Sequence, residues 1–521
     1  MNSRYGRNEP AGLAVPVLLF ACIVYATAGT GLATDDFVHL GNALTGNWSR
    51  DWLPRAYLSV PILHYTHAAA YFAFGDHLWA YALLKAIYLS FALWGTVRLF
   101  RIFHPARVAW FGAAAFCLNP VHDAATLWFT GQYLILSVGL YFHAYATTHA
   151  GKIGQGAMLA GLGSFTSYGS PPLAAGLTLM FAMQRRWREA AAMALPNTAY
   201  VAYYLWTSIY LKAGTQRLPT AFDPLALIKY YALQVASFVD AGIGPSAWLK
   251  FSLALSSLSW CSTLIAIGAA VLAWRARPSS AAGSRAHPLL ADPLLAGALT
   301  IALCAFAVFA LTGSYPQLAF NLGDRVTIYG NLLVAVLSMQ LLGARTLAVF
   351  GAVTLAAFIG TGDHWKGWAV DVRASTARIN AQGGFDAIGP DDVVFVQGLQ
   401  YSQLGRISHI DHFASGYVVR EVFSLARPWR TPIATASFNH RLRLAGDTLI
   451  DEKYGDRWQL KDAIWLYDAS SGTLERVPLA RIPARLSALP PDLRHWTQLL
   501  GPGMVRDAIL WMMPAVRYAY S

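Results

Sequence analysis

The sequence predicts a polytopic α-helical membrane protein with a small water-facing domain of α/β or α+β type at its C-terminal end. Of the 521 residues, 56% are hydrophobic and only 13% are charged, whereas soluble domains carry about 25% charged residues. Residues 362–521 hold 34 of the 66 charged side chains. Residues 1–361 therefore form a sparsely charged body whose solvent is lipid, which excludes the soluble, disordered and fibrous classes.

Apolar stretches of roughly 20 residues, the length that crosses a bilayer, divide this body into helices. The stretches long enough to span are 12–33, 78–101, 190–212, 247–274, 290–312, 326–343 and 344–361. Shorter apolar runs, also expected to be membrane helices, lie at 107–119, 130–147, 154–168 and 171–184. We therefore expect about eleven spans, with 223–242 as either an interfacial helix or a twelfth span.

Positive charge alternates along the body. Arg4 and Arg7 precede the first stretch, which has no cleavage site and is expected to remain as an anchor. Further cations recur at every second connection, at Arg98, Arg101, Arg107, Lys152, Arg185, Arg186, Arg188, Arg275, Arg277, Arg285 and Arg345. By the positive-inside rule, we expect the N-terminus in the cytoplasm and the C-terminal domain on the outer face. The Ala- and Arg-rich composition is typical of a GC-rich bacterial genome, so the expected location is a bacterial inner membrane with a periplasmic outer face. The net charge of +12 is thus a topology signal, and no nucleic-acid partner is expected.

The first outer loop, residues 34–77, opens with the adjacent carboxylates Asp35 and Asp36. Two carboxylates at the exit of a membrane helix repel each other and lose solvation, which raises a pKa and suits one of them to act as a general base. The alternative is a polar helix end at the headgroups. If the segment is helical, His39 shares a face with Asp35.

The remainder of this loop resembles a pair of interfacial helices on the outer leaflet, with Arg55 at headgroup depth. His64 and His67 are three residues apart within the apolar segment 57–74. A zinc site needs at least one further ligand, and the sequence places none. We therefore predict no metal site and no cofactor.

Two further segments accompany the acidic pair on the predicted outer face. The stretch Leu118–Tyr133 contains Asn-Pro-Val-His-Asp and resembles an outer loop of protein O-mannosyltransferases. The stretch Gly323–Tyr329 resembles an Arg-Tyr-hydrophobic-Tyr segment that opens a late span. Together with the acidic pair, these motifs resemble the GT-C superfamily of membrane glycosyltransferases, in particular bacterial relatives of the protein O-mannosyltransferases without tetratricopeptide repeats.

This resemblance implies transfer of a monosaccharide from a polyprenyl-phosphate donor to a glycan, lipid or protein acceptor on the outer face. It implies Asp36 as general base with Asp35 as its neighbour, and one such base favours inversion. Arg325, an arginine at the membrane edge, is the first choice for the donor phosphate, with Arg55 and His122 as secondary candidates. Candidate sugar contacts are His39, Asp123 and Gln132. Lys85 is interpreted as a snorkelling side chain.

Departures from the family are also present. Where some relatives have a Glu between the fifth and sixth spans, this chain has Ser164–Pro172, and Gly131-Gln132 stands where relatives have Gly-Arg. A transporter or flippase of a lipid-linked sugar is one alternative function, although no internal repeat is present. A polymerase or ligase for surface polysaccharide and a non-catalytic scaffold are others.

The C-terminal domain is predicted to begin with a helix over 363–379. A buried strand follows at 392–397 and a further strand at 462–467. Residues 505–520 are predicted to lie on the membrane as an amphipathic end. A polar cluster without a supporting zinc or hydrolase motif is formed by His409, Asp411 and His412. We expect this domain to cap the site and to recognise the acceptor.

Overall fold

The computed structural model describes residues 14–45, 53, 57–212, 223–275, 291–312, 315–389, 392–428, 430 and 432–513. The body consists of helices joined by short turns. They are α1 (Ala14–Thr27), α2 (Asp35–Leu44), α3 (Pro61–Phe74), α4 (Leu78–Phe100), α5 (Ala106–Cys117), α6 (Ala124–Leu127), α7 (Tyr133–His149), α8 (Ile153–Thr166), α9 (Ser170–Met183), α10 (Trp187–Ile209), α11 (Pro224–Phe238), α12 (Pro245–Ser256), α13 (Trp260–Arg275), α14 (Pro293–Thr312), α15 (Ile328–Leu341) and α16 (Ala344–Ala381).

Three of the described helices are long and apolar enough to cross a membrane, namely Leu78–Phe100, Pro293–Thr312 and Arg345–Ala381. Other apolar helices are shorter, such as Ala106–Cys117 and Ser170–Met183. At 1.5 Å per residue, a helix of 12–14 residues is about 20 Å long, less than the roughly 30 Å of a bilayer core. The multi-pass membrane body is therefore supported, but the apolar stretches are not all full-length spans.

The sequence prediction of one continuous span over 247–274 is wrong. The chain there forms α12 and α13, which are separated at Ser257–Ser259, and the segments Pro224–Ser256 and Trp260–Arg275 are bent by 114° relative to each other. The ambiguous stretch 223–242 is α11 followed by a π-helical turn at Val239–Ile243. Asp240 lies in this turn and is held there by polar contacts described below.

Small residues allow the helices of the body to pack closely. A Cβ atom on Gly176 of α9 would lie 2.5 Å from the carbonyl oxygen of Gly297 of α14. A Cβ on Gly139 of α7 would lie 2.9 Å from the Cα of Ala92 of α4. Close approach of this kind is the usual way in which helices associate in lipid, where burial of apolar area supplies little driving force.

The C-terminal domain is a small α/β unit, as predicted. Its strands and helices are β1 (Val393–Gln397), β2 (Tyr401–Leu404), β3 (Ile407–Asp411), α17 (Gly416–Ala426), β4 (Ala434–Ser437), β5 (Leu442–Ala445), β6 (Thr448–Asp451), β7 (Arg457–Gln459), β8 (Ala463–Asp468), β9 (Thr473–Pro478), α18 (Ile482–Ser487), α19 (Trp496–Leu499) and α20 (Met504–Met512). The main sheet has the order β4-β1-β8-β9, with β1 parallel to both β4 and β8. The two predicted strands are β1 and β8.

The end of the body and the start of this domain form one helix. The predicted boundary between residues 361 and 362 falls inside α16, which runs for 38 residues without a break. Helix α17 packs on α2 so closely that a Cβ on Gly41 would lie 2.8 Å from Oε2 of Glu421. The domain is thus attached to the body by a shared helix and by a tight contact with the first outer loop.

Candidate active site

Asp36 is a fully buried anchor at the start of α2. Its Oδ2 accepts a hydrogen bond from the Ala33 backbone N–H at 2.9 Å, and its Oδ1 accepts one from the Thr130 backbone N–H at 2.9 Å. The Thr130 hydroxyl donates to the same Oδ1 at 2.5 Å, and the Tyr71 hydroxyl donates to it at 3.2 Å. Four donors from three parts of the chain therefore occupy both oxygens of this carboxylate.

The buried position changes the acidity of Asp36. Burial raises its pKa to about 6, although the Thr130 and Ala33 hydrogen bonds and the charge of Lys85 act in the opposite direction. A carboxyl group with this pKa has a suitable acidity for base catalysis. However, an acceptor hydroxyl cannot reach an oxygen that lies inside the protein and is already engaged by four donors. In this geometry Asp36 holds the start of α2 against Thr130 and Tyr71.

Asp35 is the member of the acidic pair that is partly exposed. The Tyr417 hydroxyl, from α17 of the C-terminal domain, donates to Asp35 Oδ1 at 3.1 Å. Asp35 also acts electrostatically on the guanidinium of Arg325 from the late outer loop. One carboxylate thus lies where the first outer loop, the late loop and the C-terminal domain meet.

Arg325 lies in a 3-10 helical turn at Leu322–Thr327 and is surrounded by aromatic rings. Its guanidinium carbon is 5.2 Å from the ring centroid of Trp128 and 5.6 Å from that of Tyr315. Its Nη1 donates to the Leu322 carbonyl oxygen at 2.5 Å. A guanidinium carries five N–H donors in a planar fork, a geometry that suits an anion.

Lys85 does not snorkel, which corrects the sequence interpretation. Its side chain is 1% exposed. Its Nζ donates to the Thr30 hydroxyl at 2.7 Å, the Gly31 carbonyl at 2.7 Å and the Leu127 carbonyl at 3.0 Å. Three oxygens satisfy the three N–H donors of the ammonium group. This lysine joins the segment after α1 to the last residue of α6 and supplies a positive charge near Asp36.

Asp123 lies at the centre of a buried polar cluster that joins the body to the C-terminal domain. Its Oδ1 accepts from Lys250 Nζ of α12 at 2.9 Å. Its Oδ2 accepts from His409 Nε2 of β3 at 2.9 Å and from Trp365 Nε1 of α16 at 2.6 Å. Asp324 adjoins the same group, and its Oδ2 is 3.6 Å from Lys250 Nζ. Asp123 therefore joins α12, α16 and β3 in this arrangement.

The protonation states of this cluster follow from its hydrogen bonds. The Asn321 backbone N–H donates to Nδ1 of His409 at 3.0 Å, so the neutral ring carries its proton on Nε2 and donates it to Asp123. Burial and the neighbouring Asp123 carboxylate raise the pKa of Asp324 well above its ordinary value. Lys250 and Asp123 form the close ion pair of this cluster, and Asp324 lies beside it.

Asp123, Asp324 and His409 are close enough to hold a metal ion. Lys250 Nζ lies 2.9 Å from Asp123 Oδ1, 2.9 Å from His409 Nε2 and 3.6 Å from Asp324 Oδ2. The ammonium group thus occupies the position that a cation would take. The three residues fit an internal lysine, and we assign them no metal.

A second polar clamp joins the end of the C-terminal domain to the body. Asp240 accepts from His495 Nε2 at 2.7 Å, from the Ser246 hydroxyl at 2.6 Å and from Trp496 Nε1 at 3.1 Å. Thr497 contacts the other ring nitrogen of His495. The Ser246 hydroxyl points to Asp240 and not to His495, so these residues do not form a nucleophile and base pair.

The remaining sequence candidates that the structure describes are buried side chains. His122 is fully buried and its Nδ1 contacts Asn331 Nδ2 at 2.8 Å, so it cannot reach a phosphate in this geometry. Gln132 is also fully buried and donates to the carbonyl oxygens of Lys85 and Thr126. His39 is buried as well, and the Tyr57 hydroxyl lies 2.7 Å from its Nδ1. Arg55 lies outside the described residues.

Sequence reasoning missed three residues that shape the site, namely Lys250, Trp365 and Tyr417. Each of them lies in a helix and carries no local motif. Their roles arise from contacts with residues between 127 and 382 positions away in the chain. His409 was recognised as part of a polar cluster, but its partners in the body could not be inferred from its neighbours in the sequence.

Comparison with solved structures finds similarity at low sequence identity. One is ArnT from Cupriavidus metallidurans bound to undecaprenyl phosphate, 15% identical, with a TM-score of 0.37 over 82% of this chain and 89% of that one. Another is the archaeal oligosaccharyltransferase AglB from Archaeoglobus fulgidus, in complex with an inhibitory peptide and a dolichol-phosphate. It is 14% identical, with a TM-score of 0.34 over 82% of this chain and 65% of that one. No protein-family model and no curated protein matches the chain. At this level of similarity, no residue role is transferred from them.

Proposed function

We propose that this protein is a membrane glycosyltransferase of the GT-C type, which transfers a monosaccharide from a polyprenyl-phosphate donor to an acceptor on the outer face of the membrane. The observation that carries the proposal is the partly exposed Asp35 carboxylate, which is bonded to Tyr417 and acts electrostatically on the partly exposed guanidinium of Arg325. A carboxylate can take the proton of an acceptor hydroxyl, and a guanidinium can hold a phosphate. The motif resemblance supplies the donor class.

The proposed base is Asp35, which revises the choice of Asp36 made from the sequence. Asp35 is partly exposed and is oriented by the Tyr417 hydroxyl, whereas Asp36 is buried and saturated with hydrogen bonds. In this assignment Asp36 acts as a positioning residue. It fixes the first turn of α2 against Thr130 and thereby places Asp35 beside Tyr417 of the C-terminal domain.

The reaction that this arrangement supports is a direct displacement. Asp35 accepts the proton of the acceptor hydroxyl while the hydroxyl oxygen forms a bond to the anomeric carbon of the donor sugar. The bond between that carbon and the phosphate oxygen breaks, and the phosphate leaves with the electron pair. Arg325 stabilises the negative charge of the leaving phosphate. Displacement in one step by one base inverts the anomeric carbon.

The aromatic residues around Arg325 suit the two ends of a lipid-linked sugar. Trp128 and Tyr315 face the guanidinium, and their flat rings can pack against the apolar face of a sugar or against the first isoprene units. Tyr133 and Tyr168, joined by a hydrogen bond between their hydroxyls, also lie near Arg325. These hydroxyls offer further polar contacts to a sugar.

The Asp35→Asn variant tests this function directly. Loss of the base is expected to lower the rate of sugar transfer from a labelled polyprenyl-phosphate donor about 10²–10⁴-fold, because asparagine cannot accept the acceptor proton. The measurement is product formation with purified protein in detergent and an extract of acceptors. Asp76→Asn is the matched control, since Asp76 lies in the same loop with a side chain 90% exposed. Equal turnover of Asp35→Asn and the native chain would refute the proposal.

A further inference from the structure

Two tyrosines of the C-terminal domain lie next to each other beside the first outer loop. Tyr417 is the second residue of α17, and its hydroxyl donates to Asp35 Oδ1 at 3.1 Å. Tyr454 lies in the turn between β6 and β7. Its ring meets that of Tyr417 edge to face, with the ring centroids 6.3 Å apart and the planes at 88°. Through Tyr417, this tyrosine pair is joined directly to the carboxylate of the proposed base.

Hydrogen bonds fix the turn that carries Tyr454. Oδ1 of the buried Asp451 accepts from the backbone N–H of Lys453 at 2.8 Å and from that of Tyr454 at 3.1 Å. The hydroxyls of Tyr454 and of Ser415, the residue before α17, are 3.2 Å apart. A side chain that is already held in place loses little conformational freedom when it binds a ligand. The tyrosine pair is therefore a preformed surface.

Both tyrosines are accessible from outside the protein, since Tyr417 is 38% exposed and Tyr454 is 43% exposed. The hydroxyl of Tyr417 contacts Asp35, and that of Tyr454 contacts Ser415. With both hydroxyls engaged within the chain, the pair interacts with a ligand mainly through its rings. Tyrosine is common in binding surfaces because its ring supplies a large contact area at a low cost in conformational entropy.

The position of Asp35 determines which substrate meets this surface. A general base must lie about 2.6–3.2 Å from the hydroxyl whose proton it takes. Tyr417 already lies within that distance of Asp35 Oδ1. An acceptor whose hydroxyl reaches Asp35 is therefore a neighbour of the Tyr417 side chain, and the rest of the acceptor lies close to the tyrosine pair.

The surroundings of Tyr454 favour a hydrated acceptor over a lipid tail. Residues 452–457 are all exposed, and four of these six are charged, namely Glu452, Lys453, Asp456 and Arg457. Nζ of Lys453 lies 5.1 Å from the centre of the Tyr454 ring. Covering charged groups with a hydrocarbon chain is costly. A sugar instead combines an apolar C–H face, which packs on an aromatic ring, with hydroxyls that form hydrogen bonds to charged groups.

We propose that Tyr417 and Tyr454 form the acceptor subsite of this transferase and that the acceptor is a glycan. One sugar ring of the glycan packs against the tyrosine pair while one of its hydroxyls faces Asp35. This inference rests on the proposed function, because the base at Asp35 is what makes the bound molecule an acceptor. It selects one of the three acceptor classes, glycan, lipid and protein, that the sequence left open.

Binding measurements with the full chain test the subsite without sugar transfer. The purified protein in detergent is applied to immobilised oligosaccharides that end in neutral, amino or acidic sugars, to peptides of similar mass, and to vesicles of phosphatidylethanolamine and phosphatidylglycerol. We expect saturable binding to oligosaccharides. Tyr454→Ala should weaken this binding about 3–10-fold, the loss of one aromatic contact, whereas Tyr454→Phe should keep it within about twofold because the ring remains.

Trp511→Ala is the matched control, because Trp511 is an aromatic residue of the same domain, 80% exposed on α20. Tyr454 is the residue to change, since Tyr417 also holds Asp35. The inference is overturned if the native chain binds no oligosaccharide, or if it binds only the peptides or the vesicles. It is also overturned if Tyr454→Ala, with a Tm like that of the native chain, binds oligosaccharides as tightly as Trp511→Ala does.

Kinetics separate this inference from the proposed function. With a glycan acceptor, Tyr454→Ala should raise the KM for the acceptor about 3–10-fold and leave the KM for the polyprenyl-phosphate donor unchanged. Sugar transfer with an unchanged acceptor KM in Tyr454→Ala would refute the subsite and leave the proposed function intact. A native chain that binds oligosaccharides through Tyr454 but transfers no sugar would support the glycan site and refute the proposed function.

Discussion

At the scale of single residues, the two adjacent aspartates of the first outer loop have different environments. The sequence shows only that Asp35 and Asp36 are neighbours at a helix start. Which of them points inward is decided by Thr130 and Tyr71, which lie 94 and 35 positions further along the chain. The acidic pair could therefore be predicted from the local pattern, but the division of roles within it could not.

The pH dependence of stability distinguishes a buried Asp36 from an exposed one. Its pKa is raised in the folded chain from the ordinary 3.8 to about 6. Its contribution to stability is therefore fully present below pH 3.8 and is lost as the pH rises through 6, a change of about 3 kcal/mol at most. Asp36→Asn removes the pH dependence of stability that comes from this carboxyl group. The asparagine NH2 group would also face the donors that now point at the carboxylate, and this mismatch should lower the free energy of unfolding by about 1–3 kcal/mol.

The measurement is the thermal unfolding of both proteins in detergent between pH 4 and pH 7, a window set by the shifted pKa of about 6. We expect the difference in Tm to be largest at the acidic end and to shrink toward neutral pH. A difference that stays constant across this window would contradict the buried position of the carboxyl group.

Arg325 is expected to act on the donor phosphate and not on the acceptor. Arg325→Lys keeps a charge but loses the planar fork, and Arg325→Ala loses both. Charged hydrogen bonds contribute about 1.5–3 kcal/mol, so Arg325→Ala should raise the KM for the donor roughly 10–100-fold, with a smaller rise for Arg325→Lys. Arg420→Ala serves as control, since Arg420 is 65% exposed on α17. An equal rise in the acceptor KM would argue against a phosphate role.

At the scale of secondary-structure elements, the sequence predicted what apolar periodicity and length can reveal. The strands at Val393–Gln397 and Ala463–Asp468 and the helix over 363–379 are present. The break within 247–274 was missed because the residues on both sides of it are apolar, and hydropathy does not report a change of direction. The continuity of α16 was also missed. The side chains change from apolar to charged near residue 362, but the helical backbone hydrogen bonds continue through that point.

The cluster around Asp123 connects four elements, and its removal tests the attachment of the C-terminal domain. Lys250→Met leaves the buried carboxylate without its balancing charge, which should lower the free energy of unfolding by about 3–5 kcal/mol. We expect a lower Tm and faster proteolysis within residues 392–513. Lys453→Met, at an exposed position of the domain, should change stability by no more than about 0.5 kcal/mol. Equal stability of the two variants would show that the lysine does not support the interface.

At the scale of the whole molecule, charge distribution predicted a body and a domain, and the structure shows how tightly they are joined. Asp123, Asp240 and Asp35 of the body are each bonded to a side chain of the C-terminal domain, namely His409, His495 and Tyr417. These pairs could not be found from the sequence, because polar residues that meet across an interface have no common spacing.

The predicted orientation across the membrane is testable with single cysteines. In a background with Cys261→Ser, which removes the exposed native thiol, Ser471→Cys lies on the C-terminal domain and Lys152→Cys on a predicted cytoplasmic turn. A membrane-impermeant maleimide added to intact spheroplasts should label Ser471→Cys at once and Lys152→Cys only after permeabilisation. The reverse pattern would invert the topology and exclude a periplasmic active site.

The unbroken helix α16 also sets the angular position of the domain relative to the body. A helix of 3.6 residues per turn rotates about 100° and advances 1.5 Å for each residue. One residue inserted after Trp368 would turn the domain away from α2 and separate Tyr417 from Asp35. Seven residues would restore the phase but raise the domain by about 10 Å. The contact between Tyr417 and Asp35 therefore requires the present length of α16. We expect that neither a one-residue nor a seven-residue insertion after Trp368 would preserve this contact.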